Sequence, residues 1–95
     1  MAANSEVIIE DDRFLVTRWQ FRGGDLTGKH EHGHEYVVVP VTGGRFKVTL
    51  PDGTVQDLTQ SPADPCARSA SVCHDVRFVG DGTAVFLEIE SREKT

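Results

Sequence analysis

Three of the four histidines in this 95-residue chain fall within five positions, His30-Glu31-His32-Gly33-His34. Histidine is the commonest metal ligand in proteins. Side chains two apart on a β-strand share a face, so His30 and His32 could aim two imidazoles at one ion with no special backbone conformation. The cluster follows the turn-forming run Gly23-Gly24-Asp25-Leu26-Thr27-Gly28 and precedes the β-rich Tyr36-Val37-Val38-Val39. The same five residues satisfy H-E-x-x-H, the zinc-protease pattern that works on a helix with the glutamate as base. Gly33 inside the motif, the valine run after it and Pro40 oppose that helix, so strand chemistry is the reading of choice.

The elements that must position these residues read as strands. Segments 14–21, 36–41, 46–50, 72–79 and 84–90 are β-favouring and lack helical spacing. Thr42-Gly43-Gly44, Pro51-Asp52-Gly53-Thr54 and Gly80-Asp81-Gly82-Thr83 lie between them with residues that tolerate positive φ, and hairpins are expected at each. A single all-β domain, sandwich or barrel, spans residues 1–95. The stretch 60–67, with Pro62 and Pro65, reads as a surface loop or lid.

A net charge of -5 without a basic cluster argues against nucleic acid. With neither a leader-like start nor an apolar run of spanning length, the sequence reads as soluble and cytoplasmic, away from membranes. In that setting Cys66 and Cys73 are expected as free buried thiols. A small β domain has strand edges to hide, so a homodimer is expected, with Val7-Ile8-Ile9 on an N-terminal strand as the interface. Trp19 and Phe21 read as core. His34 and Glu35 read as exposed, and Arg18, Gln20 and Arg68 as candidates for a barrel mouth where guanidinium could take a carboxylate.

The motif positions resemble the first signature of the cupin superfamily, G-x5-H-x-H-x3,4-E-x6-G, with Gly24, His30, His32 and Gly43 in register and Tyr36 where the acidic ligand is usual. The second signature, G-x5-P-x-G-x2-H-x3-N, survives mainly as His74, with Ala63, Ser69, Ser71 and Phe78 at its other positions. Residues 68–76 and 30–40 nonetheless resemble the R-x-A-G-V-x-H-N-V and H-x-H-x-x-D-Y-V-V-V-P stretches of small bacterial cupins, some of them associated with β-alanine degradation. The resemblance implies a double-stranded β-helix, a jelly-roll barrel of six to eight strands. It also implies one divalent transition metal ion held by His30, His32 and His74.

Neutral imidazoles suit Fe, Ni or Zn better than Mg or Ca. Tyr36, with an ordinary pKa near ~10, would serve by hydrogen-bonding a metal-bound water. A three-histidine site without the carboxylate is similar to those of thiol and diketone dioxygenases among cupins. The functional expectation is therefore a metal-dependent enzyme of dioxygenase type acting on a small organic substrate, with Tyr36 as its catalytic residue. The alternative is a non-catalytic metal- or small-ligand-binding cupin module. An open pocket beside the ion would separate a substrate site from a closed structural one.

Overall fold

The alternation that marks strands in the sequence becomes two antiparallel sheets packed face to face. The computed structural model describes residues 1–28, 30–31, 33–68 and 73–92, with backbone alone at His30 and Glu31. Nine strands run in chain order among these residues: β1 Asn4–Glu10, β2 Phe14–Arg22, β3 His30–Glu31, β4 Tyr36–Pro40, β5 Gly44–Thr49, β6 Val55–Gln60, β7 Cys66–Arg68, β8 Cys73–Phe78 and β9 Thr83–Ser91. One sheet has the order β1-β2-β9-β4-β7 and the other β3-β8-β5-β6. No helix long and apolar enough to cross a membrane occurs among the described residues.

The expected turns divide into two kinds. Residues 51–54 close a true hairpin between β5 and β6, with Gly53 at φ 88°. Thr42-Gly43-Gly44 and Gly80-Asp81-Gly82-Thr83 instead carry the chain from one sheet to the other, since β4 and β5, like β8 and β9, lie in different sheets. These two expected hairpins are corners. Gly43 shows why its corner needs glycine. Its φ is +77°, and a Cβ there would meet the Gln60 carbonyl oxygen at 2.8 Å and Pro62 Cδ at 2.9 Å. Gly43→Ala is expected to cost about 1–3 kcal/mol, the usual scale for a strained backbone position. Thermal unfolding would show it as a Tm lowered by about 4–8 °C per kcal/mol. An unchanged Tm would mean that the corner adapts.

The N-terminal strand forms as expected. Its run of three apolar residues is explained by a register shift between Val7 and Ile9, which takes Ile8 out of the pairing with β2. β1 is a sheet edge on which Val7, Ile8 and Ile9 are all exposed. The 60–67 loop is shorter than expected, because Gln60 ends β6 and Cys66 begins β7.

Between the sheets the inward side chains of β2, β4, β5, β8 and β9 make one core. Phe21 and Phe46 are both 1 % exposed, with Phe78, Ala84 and Phe86 buried around them. The Phe46 ring sits 5.4 Å from Phe21 edge-on, 5.4 Å from Phe78 and 5.8 Å from Phe86. Phe21 belongs to this core as expected, and Trp19 packs partly buried against it. This aromatic cluster closes one end of the space between the sheets.

Candidate functional site

Past the aromatic cluster the inward positions become polar. On β4 the side chains alternate, with Tyr36 3 % and Val38 7 % exposed and Val37 turned outward. Register sets Arg68 of β7 and Glu90 of β9 beside Tyr36, and Cys66 and Glu88 beside Val38. On the opposite sheet β8 supplies His74 and Val76, β5 supplies Val48, and β6 supplies Gln56, Leu58 and Gln60. With Tyr36, Val38, Cys66, Arg68, Glu88 and Phe86 they line an open cavity of about 370 Å³. Pockets that hold organic ligands begin near about 300 Å³.

Loop-to-strand hydrogen bonds fix the approach to the histidine cluster. Thr27 N donates to the Val76 carbonyl at 2.9 Å, Val76 N donates to Thr27 Oγ1 at 3.0 Å, and Gly28 N donates to Asp75 Oδ1 at 3.1 Å. Segment 27–28 is thereby laced to β8, and the chain continues into β3 with position 30 directly opposite His74 in the backbone register. His32 lies outside the described residues, as does the His30 side chain. Among the described residues no group of three His, Cys, Asp or Glu side chains comes together. Of the expected triad, one member lies in the cavity wall and a second is its register partner. The donor set suits a borderline metal: His74 is a nitrogen donor at an open cavity, opposite a second histidine position.

Tyr36 reaches the cavity by a different route from the one its spacing suggests. An unbroken strand from His30 would have kept it on the histidines' face, but β3 and β4 lie in different sheets and 33–35 carry the chain across. It therefore lines the cavity together with His74 from the facing sheet. Burial, helped by the Glu88 carboxylate, pushes its hydroxyl up to about 12, with Arg68 pulling the other way. At neutral pH Tyr36 is a neutral phenol suited to hydrogen bonding. Glu88 is held in place by Trp19, whose indole Nε1 donates to Glu88 Oε1 at 2.9 Å.

The remaining candidates separate. Arg68 lines the cavity. Arg18 is spent on the β1–β2 ladder, 2.7 Å from Glu6. Gln20 lines a larger cleft of about 810 Å³ near the Thr83 end of β9, where Met1, Arg22 and Asp25 also lie and none of the expected site residues does. Arg18 and Gln20 are thus not at the mouth of the site. His34 is exposed as expected, with Nδ1 4.0 Å from Glu90 Oε1, and Glu35 is exposed too. Cys66 and Cys73 are free thiols, half-buried rather than fully buried. Cys66 lines the cavity, while Cys73 faces a small groove beside Pro51.

Gln56, Gln60 and Glu88 belong to no motif in the sequence. The period-2 pattern was there to find them, since Gln56, Leu58 and Gln60 alternate along β6 and Glu88 alternates with Phe86. Their polarity assigns them to solvent when only hydrophobic patterning is used.

No protein-family profile matches the chain. Over 84 residues, 88 % of this chain and 87 % of the relative, it is 36 % identical to the β-alanine degradation protein BauB of Pseudomonas aeruginosa. A cupin domain from Bordetella pertussis superposes with a TM-score of 0.92 at 35 % identity, covering 97 % of this chain and 95 % of that one. The chain is a cupin. The polyketide cyclase RemF of Streptomyces resistomycificus shares the cupin fold at a TM-score of 0.72 and 21 % identity, covering 96 % of this chain and 66 % of its own. Across these relatives one scaffold serves different named functions, so the site residues must decide what this cupin does.

Proposed function

We propose that this cupin binds one divalent transition metal ion, iron, nickel or zinc, through His30, His32 and His74, and that it is a metal-dependent enzyme of dioxygenase type. Its substrate would be a small organic molecule held in the interior cavity. The observation that carries the reading is His74 in the wall of a cavity of about 370 Å³, with Tyr36 and Arg68 in the same lining. A structural metal site has a closed ligand shell, whereas a catalytic one keeps room beside the ion. When bound, a redox-active ion would supply activation of O2 and polarisation of a chelating substrate.

The chain's own residues do the rest. Arg68 offers a planar guanidinium to a carboxylate, Tyr36 offers a neutral hydroxyl, and the valines with Phe86 exclude water from the far wall. The name of the Pseudomonas relative makes small amino-acid or carboxylate metabolism the first place to seek the substrate.

One observation favours the second reading, a binding module without turnover. Both carboxylates in the cavity lining are already engaged, Glu88 by Trp19 and Asp57 by Lys47. Oxygen uptake separates the two readings. Iron-reconstituted protein is expected to consume O2, without added reductant, in the presence of a thiol, a diketone or a short carboxylate. The zinc form is expected to be silent, because zinc has no redox chemistry. If iron, nickel, manganese and copper forms all leave O2 untouched while one of these compounds raises the Tm, the binding module is the correct reading.

A further inference from the structure

The inner end of the cavity holds a polar group that the fold leaves unmet. Gln60, the last residue of β6, is only 9 % exposed, lines the cavity, and its Oε1 is buried with no hydrogen-bond partner among the described residues. Buried amide oxygens are normally paired, and an orphan costs about 1–3 kcal/mol. The arrangement around Gln60 is not slack. The Gly43 corner packs against its backbone carbonyl, and its register partner is Gly44. A leucine at the position would fill similar volume at no such cost, so the glutamine needs a reason.

The cavity's composition supplies one. Arg68 is exposed, at the outer side of the lining, and Gln60 is enclosed at the inner side. Val38, Val48, Leu58, Val76 and Phe86 provide apolar wall. With the lining carboxylates Glu88 and Asp57 engaged by Trp19 and Lys47, Arg68 is left for a ligand's anionic end, the apolar wall for a short carbon chain and Gln60 for a hydrogen-bond donor at its other end. The volume accommodates roughly a dozen groups of water size at about 30 Å³ each.

We propose that the cavity takes a small organic acid whose end remote from the carboxylate carries an N–H or O–H donor, which the Gln60 side-chain oxygen accepts while Arg68 faces the carboxylate. This rests on the cavity being the ligand site and is independent of which metal is bound. A site built to meet a donor rejects the analogue lacking it, because the buried acceptor then stays unpaired.

Four short carboxylates test it by calorimetry on the metal-loaded protein: butyrate, 4-hydroxybutyrate, 4-aminobutyrate and the one-carbon-longer, acceptor-only 4-oxopentanoate. The hydroxy and amino acids are expected to bind tenfold or more tighter than butyrate, with 4-oxopentanoate no better than butyrate. Gln60→Leu should bring all four within about threefold, leave metal content unchanged, and raise the Tm of the ligand-free protein by a few degrees, because an orphan acceptor has been removed. Arg68→Gln should weaken all four alike. If wild type binds the four equally, or binds 4-oxopentanoate best, the role of Gln60 is wrong while the cavity remains a ligand site. If none binds, the ligand-site reading fails with it. A Tm lowered by Gln60→Leu would mean that the glutamine is structural and would overturn the proposal.

Discussion

Replacing His74 by alanine is expected to cut divalent-metal affinity by about a hundredfold while leaving the fold intact. Structural zinc sites gain about 10–16 kcal/mol from four ligands, so one ligand carries about 3 kcal/mol, close to two decades in Kd. The barrel should tolerate the change, because His74 lies at the cavity end of β8, on the far side of Val76 from the aromatic core. Elemental analysis of protein purified without nickel or zinc affinity columns reads the loss directly, and circular dichroism checks the fold. Metal binding by wild type should also weaken as pH falls below about 6.5, since imidazole ligates only when neutral. Stoichiometric metal in folded His74→Ala protein at neutral pH would remove the three-histidine site.

The second large effect lies in the core. Phe46→Ala is expected to destabilise the protein by about 3–5 kcal/mol, the range for emptying a buried aromatic site. The Phe46 ring is 1 % exposed and in contact distance of the rings of Phe21, Phe78 and Phe86, one on its own sheet neighbour and two across the interior. For a chain of this size the total is about 5–14 kcal/mol, so the variant should melt on the order of 15–30 °C lower. Phe46→Leu should lose markedly less. The same substitution removes the packed end against which the cavity is built, so ligand affinity should fall along with stability. A cost under about 1 kcal/mol would mean that the two sheets close over the hole, and that the cluster does not hold them apart.

Much of this protein is legible in local runs of residues. Alternation in 14–21 and 84–90 marks the strands that became β2 and β9, and the place of Phe21 in the core, with Trp19 packed partly buried against it, followed from it. Gly24, His30, His32, Gly43 and His74 carried the likeness to cupins, which the Bordetella domain bears out at 35 % identity. Those signals are local: period-2 burial and fixed spacings within one strand or turn need no knowledge of distant partners.

Whatever crosses between the sheets is not written locally. Thr42-Gly43-Gly44 has the chemistry of a tight turn whether the chain returns beside itself or moves to the other sheet, so local turn residues could not separate hairpin from corner. The same holds for Tyr36, which faces the cavity from the sheet opposite His74 because 33–35 break the strand, and not because its spacing from His30 keeps a face. Arg18 and Arg68 are chemically alike, yet one is paired with Glu6 outside and the other lines the cavity. Gln60 is the sharpest case. A polar residue at a strand end reads as solvated, and only the packing of the Gly43 corner against it and the closure of two sheets above it make it a buried acceptor facing a cavity.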